Sequence, residues 1–308
     1  MAVVAVDCGG TNLAFGRTRS PAGVRVAGVA PTPRDAAAIP AAVAAAVAPL
    51  VDESVTAVGV GSAGLVDSRS GTLVWSPHAA GGQVALGPEV AAALGRPVVV
   101  DNDANLAALA EARLGAGAGH RMVLFVGLGT GIGGGLVLDG VVERGRGFLG
   151  EIGHMVLKPG GPACPCGKRG CWEALVSGSS LGREARRLAA RHPGGAVARA
   201  AAGDTPRGEH LSDAGRRGDP EARAALAAAG DWLGRGLANL VAALDPDVIV
   251  VGGGAAAAGR ALLGPARAAL AASLGGAGYR AATLVVAARF GRRAGLVGAA
   301  LAAEEATW

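Results

Sequence analysis

Aromatic side chains are scarce: Phe, Tyr and Trp together make up 3% of the chain, with a single tyrosine. Because 51% of the residues are apolar, the core has to be assembled from Ala, Val and Leu instead. Lysine is nearly absent. Lys158 and Lys168 are the only two, so almost all positive charge is arginine, a bias that with the Ala and Gly content fits a GC-rich genome. The net charge of +5 is small for 308 residues. Its one dense basic run, Arg183, Arg186, Arg187 and Arg191, has helical spacing and reads as a solvated helix face, which speaks against nucleic acid as a partner. Also missing is any apolar run near the ~20 uncharged residues that span a bilayer. Met1 leads directly into the apolar run Ala2–Val6 without a basic leader, so a cytoplasmic protein with no membrane partner is expected. The length is enough for two lobes.

Cysteine is also rare, and three of the four residues lie within eight positions. The pattern is His154, nine intervening residues, then Cys164-Pro-Cys166-Gly-Lys-Arg-Gly-Cys171. Three thiolates and one imidazole fill a tetrahedral shell and leave no open position, which predicts a structural Zn²⁺ rather than a catalytic one. Gly167 and Gly170 permit sharp turns between the ligands. Cys8 stands apart and reads as a small core residue.

Strands and helices alternate. Ala2–Val6, Leu13–Arg17 and Val24–Val29 predict an antiparallel set joined first through Gly9–Gly10. Ala36–Val51 reads as a helix with Pro40 in its first turn, and Asp103–Leu114 as another. Val55–Val60 and Pro97–Val100 are buried-strand runs. Met122–Val126 opens a second set, in which Asp139–Gly140 predicts a type I′ hairpin. Residues 192–219 read as a loop. Pro220–Leu244 is a long helix, Val248–Val251 a strand and Arg293–Glu305 a closing helix.

Two glycine turns each follow an apolar strand. In Asp7-Cys-Gly9-Gly10-Thr11-Asn12, backbone N–H groups can approach phosphate oxygens, Thr11 adds a hydroxyl, and Asp7 can hold Mg²⁺. Gly127-Leu-Gly129-Thr130-Gly131-Ile-Gly133 offers a matching clamp, and Gly252–Gly254 can admit a flat adenosine face. Neither turn has the Gly-Lys-Ser/Thr of a Walker A loop, and neither fits a dinucleotide fingerprint. Their recurrence predicts two lobes of related design facing one cleft.

Acidic residues supply the remaining chemistry. Asp101-Asn102-Asp103 sits where a strand meets a helix, the usual ligand edge of an open α/β sheet. Asp103 can cap the helix, or take a proton from a hydroxyl that attacks a γ-phosphoryl group. Asn102 can hydrogen-bond a polyol. Glu151, His154 and Glu173 bracket the cysteine loop, where a structural metal would fix them for binding hydroxyl groups.

Together these residues resemble the ROK family of bacterial sugar kinases and repressors, most of all its glucokinase-type members. The resemblance rests on Asp7-x-Gly-Gly-Thr, Asp101-Asn-Asp-Ala-Asn105, Gly129-Thr-Gly-Ile-Gly-Gly, Glu151-x-Gly-His154, Cys164-x-Cys-Gly-x-x-Gly-Cys-x-Glu173 and Val251-Gly-Gly-Gly254. It implies an α/β, two-lobed, actin-like ATPase (ribonuclease-H-like) fold, with residues 1–115 plus a closing helix at 293–308 in one lobe and 116–292 in the other. It implies ATP with Mg²⁺ on the glycine turns, and a hexose held by Gly64, His78, Asn102, Asp103, Glu151, His154 and Glu173, with Asp103 as catalytic base. The activity expected is phosphorylation of the 6-hydroxyl of a hexose, glucose first, in a homodimer or homotetramer. N-acetylglucosamine, N-acetylmannosamine or another hexose is the nearest alternative. A catalytically weak sugar-binding or regulatory protein is the alternative of a different class, although the repressors carry a helix-turn-helix before the first motif and only six residues precede Asp7 here. Three departures from the family pattern fall on the sugar side: Ala63 in Gly61-Ser-Ala-Gly64, His78 where Asn is usual, and Gly82 where Trp is usual.

Overall fold

The computed structural model describes residues 1–276, 279 and 281–306. A first sheet contains β1 (Ala2–Cys8), β2 (Asn12–Thr18), β3 (Gly28–Pro31), β4 (Val55–Ser62) and β7 (Val98–Asn102), in the order β3-β2-β1-β4-β7. The first three pair antiparallel, while β1, β4 and β7 run parallel. A short hairpin, β5 (Leu65–Asp67) and β6 (Thr72–Trp75), interrupts them. The second sheet contains β8 (Met122–Leu128), β9 (Ile132–Leu138), β10 (Val141–Glu143), β11 (Val248–Gly252) and β12 (Leu284–Ala287), in the order β10-β9-β8-β11-β12. The two sheets thus repeat one strand order, as expected from the recurring glycine turns.

The chain divides into two compact units, one of residues 1–125, 135–150 and 292–308, the other of residues 126–134 and 151–291. In the first, α1 (Ile39–Val47) and α2 (Leu86–Leu94) cover the apolar sheet residues, with Val4, Val6, Val58, Val60 and Val100 against Ile39, Val43, Leu86 and Val90. Aliphatic packing of this kind is what the aromatic-poor composition dictates. Cys8 is buried in the same cluster, 2% exposed. Helix α3 (Asp103–Leu114) and the closing α10 (Ala294–Glu305) pack on each other, and α10 also packs on β1 and β4. In the second unit, α8 (Pro220–Leu244) packs along α9 (Arg260–Ser273), and α4 (Trp172–Val176) seats the fully buried Trp172 beside α8.

Some expectations shift. The third strand is Gly28–Pro31, not Val24–Val29, because the ladder to β2 starts only where Gly28 pairs with Phe15. Ala36–Val51 is an α-helix flanked by 3-10 turns, the second of them containing Pro49. Residues 192–219 are not a loop: α6 (Ala196–Ala201) and α7 (Gly208–Arg216) form there. Their Gly, Pro and Arg content hides two short amphipathic segments that only packing stabilises, Leu211 and Ala214 being buried. Helix α5 (Gly178–Arg191) does carry the basic run, but those guanidiniums are engaged. Arg187 pairs with Glu184, Arg191 with Glu221, and Arg183 donates to Ala174 O at 2.8 Å. No helix among the described residues is long and apolar enough to cross a membrane.

Candidate active site and metal centre

In the first unit, the turn from β1 to β2 places Gly9, Gly10 and Thr11 at the sheet's end. Its carbonyls are taken up locally: Thr32 Oγ1 donates to Gly9 O at 2.7 Å and Thr32 N to Thr11 O at 2.9 Å. Thr11 and Asn12 are exposed. The side chain of Asp7 lies against the first turn of α10, where a Cβ on Gly295 would come within 3.0 Å of Asp7 Oδ2. Burial, reinforced by the nearby Asp103 charge, pushes the Asp7 carboxyl up to about 7.

Asn102 is the N-cap of α3. Its Oδ1 accepts from Ala104 N at 2.9 Å and Asn105 N at 3.2 Å, and its Nδ2 donates to Gly64 O at 2.9 Å. The carboxamide is therefore occupied in fixing α3 and the Gly64 turn. Asp103 is the first helical residue, so the capping role falls to its neighbour and its carboxyl is not needed as the cap. Burial raises the Asp103 carboxyl; the Ala104 N–H and the His78 charge partly offset this. His78 lies over Gly10. Gly82 is exposed, and a Cβ there would meet nothing within 4 Å.

Asp101, 2% exposed, is a hub behind Asp103. Its Oδ1 accepts from Asn102 N at 2.7 Å and Asn105 Nδ2 at 3.1 Å, while Arg144 binds Oδ2. Sequence reasoning did not single out Arg144. No local signal marks it, since its partner lies on another element.

In the second unit, the turn Gly129–Gly131 joins β8 to β9, and Gly133 lies within β9. Gly178 N at the start of α5 donates to Gly129 O at 2.8 Å. Glu173 closes on Gly131: a Cβ there would sit 2.3 Å from Glu173 Oε2, so a side chain would displace that carboxylate. That same oxygen accepts from Ile132 N at 3.3 Å. Gly252 closes β11, and Gly253 (φ +83°) passes so close to Leu128 that a Cβ would meet its backbone at 2.5 Å. Gly254 then opens a 3-10 turn.

His154, Cys164, Cys166 and Cys171 converge, with their ligand atoms all within 4.8 Å of one another. Cys166 Sγ and Cys171 Sγ are 3.6 Å apart, and Cys164 Sγ is 3.7 Å from His154 Nδ1. Edges of a tetrahedron with Zn–S bonds of ~2.3 Å are about 3.8 Å, so the donors fit one ion. His154 Nδ1 faces the thiols, while Nε2 faces Glu151 Oε2 at 3.8 Å. Glu173 Oε1 lies 3.8 Å from Nδ1 and accepts from the Cys164 thiol at 3.1 Å. The expected trio of Glu151, His154 and Glu173 is therefore brought together. Between two of these partners, Trp172 anchors α4, its Nε1 donating to Trp232 O at 2.9 Å.

A profile of the ROK family matches residues 3–306. Glucokinase of Streptomyces coelicolor is 40% identical over 308 residues, covering 98% of this chain and 97% of that protein. Among solved structures, a ROK family glucokinase from Streptomyces griseus in complex with glucose and AMPPNP superposes with a TM-score of 0.88 at 38% identity, covering 99% of this chain and 100% of that one. A ROK hexokinase from Thermus thermophilus has a TM-score of 0.75 at 37% identity, covering 99% of each chain.

Proposed function

The chain belongs to the ROK family, and on that premise we propose that it is an ATP-dependent hexose kinase of glucokinase type, transferring the γ-phosphoryl group to the sugar 6-hydroxyl. Its fold is the two-lobed, actin-like ATPase fold of that family. The observation that carries the reading within the chain is Asp103. Held at the start of α3 by the Asn102 cap, its carboxyl has a raised pKa, which gives its carboxylate more affinity for a hydroxyl proton than an exposed carboxylate has.

In this reading Asp103 takes the proton from O6 as that oxygen attacks, and Asn102 positions it. Gly9, Gly10, Thr11 and Asn12 hold the transferring phosphate, and Gly129, Thr130, Gly131 and Gly133 support the others. Gly252, Gly253 and Gly254 face the adenosine. Asp7 would hold Mg²⁺, whose charge would suit this buried carboxylate and, when bound, would offset charge on the transferring phosphoryl group. Glu151, His154 and Glu173 bind sugar hydroxyls, and Gly64 and His78 lie on sugar-facing loops of the first unit. Zn²⁺ would be held by His154 Nδ1 and the three thiolates, with the closed shell fixing the loop rather than activating water. With Nδ1 on the metal, His154 Nε2–H would be left to donate to a sugar hydroxyl. A cytoplasmic homodimer or homotetramer without nucleic-acid partners completes the reading.

The open space at Gly82 favours one second reading, a kinase for N-acetylated hexosamines, since a bulkier substituent has room there. A coupled ADP-release assay across glucose, mannose, fructose, N-acetylglucosamine and N-acetylmannosamine tests both. Glucose should turn over fastest; a hexosamine preference would select the second. Measurable sugar binding with no turnover on any sugar would point to a regulator instead.

A further inference from the structure

Gly10 lacks the positive φ that makes many glycines in this chain obligatory. Space is what excludes a side chain there. A Cβ on Gly10 would lie 2.4 Å from His78 Cδ2, 2.5 Å from Cγ and 2.7 Å from Nε2. The imidazole of a sugar-side residue is therefore seated directly on the phosphate turn. Its loop is anchored on both flanks. Ala80 N donates to Arg34 O and Ala36 N to Ala80 O, each at 2.7 Å, and Leu73 and Val84 exchange two backbone bonds of 2.9 Å. His78 N donates to Ser76 Oγ at 3.3 Å. The backbone that carries the ring is thus braced, and the same ring is near enough to Asp103 to act on its carboxyl.

We propose that His78 is a positioning residue coupling the two substrates: its ring, packed on Gly10, holds the Gly9–Thr11 turn in the shape that receives the γ-phosphate. Nucleotide affinity then depends on a side chain that belongs to the sugar-facing loop. Gly10 is small because His78 is there, and the pair works as one contact. This inference rests on the kinase reading for the identity of the nucleotide.

The test is a double-mutant cycle of His78→Ala, Gly10→Ala and the double variant. It is read by steady-state kinetics with ATP and glucose both varied, and by AMPPNP titration calorimetry without sugar. His78→Ala should raise the AMPPNP Kd and the ATP KM about tenfold, and His78→Phe, which keeps a planar ring on Gly10, should recover most of that loss. Gly10→Ala should cost about a hundredfold in kcat/KM for ATP in the wild-type background and no more than about threefold beside His78→Ala. An AMPPNP Kd within about twofold of wild type in His78→Ala, with only the glucose KM raised, would overturn the proposal. So would equal Gly10→Ala costs in both backgrounds. Should Gly10→Ala fail to fold, the His78→Ala and His78→Phe titrations decide alone. A wild-type protein that binds AMPPNP but phosphorylates no hexose would sink the kinase reading, and the sugar-free titrations would still judge His78.

Discussion

Arg144 grips Asp101 across 43 residues of sequence, its Nε and Nη2 lying 2.9 and 2.7 Å from one carboxylate oxygen. Asp101 is almost fully buried, whereas the Arg144 side chain is 36% exposed. The pair fixes the strand end from which Asn102 and Asp103 project.

Removing Arg144 should therefore strand a buried carboxylate. Because the guanidinium is partly solvated, the expected loss for Arg144→Met is about 2 kcal/mol rather than the 3–5 of a fully buried pair. Urea unfolding measures it. Turnover should fall along with stability, and Arg144→Lys should restore little of either, since an ammonium cannot reproduce the two-nitrogen grip. Unfolding midpoints and kcat equal to wild type in Arg144→Met would show that the pair positions nothing.

Asp103→Asn removes the proposed base while keeping the shape of the side chain. Turnover should drop by at least about a hundredfold, with glucose binding changed far less. If turnover stays within about tenfold of wild type, a difference of ~1.4 kcal/mol, Asp103 is not the base.

The Asp7 carboxyl, held at about 7 against an ordinary 3.8, gives the nucleotide-free protein a pH dependence of definite sign. Between those values the folded state binds more protons than the unfolded one, so stability is fully present at acidic pH and declines as pH rises toward 7. The decline is at most about 4 kcal/mol. Without nucleotide or Mg²⁺, Tm should fall between pH 5 and pH 8, and Asp7→Asn should reduce that slope, leaving the part due to Asp103, whose raised carboxyl contributes with the same sign. A Tm difference as large in Asp7→Asn as in wild type would place the titration elsewhere.

Cys166 is the exposed member of the metal cluster, so Cys166→Ser opens the shell with little loss of packing. The variant should hold less than one zinc per chain by metal analysis. It should also weaken glucose binding about tenfold or more, with the AMPPNP Kd moving much less, because the loop carries Glu151, His154 and Glu173. Equal loss of both affinities would mean that the metal supports the whole fold.

The segments readable in advance were those whose information is local. Helix Asp103–Leu114 and helix Pro220–Leu244 match their predicted bounds, since each begins at a capping residue, Asn102 or Asp219, and ends at a break in its pattern. The Asp139–Gly140 hairpin forms with both residues at positive φ, as the dipeptide requires. Helices α6 and α7 were invisible for the opposite reason. Each is too short to be stable alone, and their helicity comes from neighbours supplied by packing.

The same division runs through the site. Spacing alone placed His154, Cys164, Cys166 and Cys171 in one cluster, because a metal shell demands ligands in a pattern that the chain displays within eighteen residues of sequence. It also marked both glycine turns and the acidic strand end. Tertiary structure decided what those residues do for one another. Asn102 spends its amide on Gly64 and the cap of α3, Arg144 reaches back to Asp101, Glu173 closes on Gly131, and His78 rests on Gly10. Apart from the cap, each of these is a contact between elements far apart in sequence. Residue type and spacing encode what a side chain can do, but only packing determines which partner it meets.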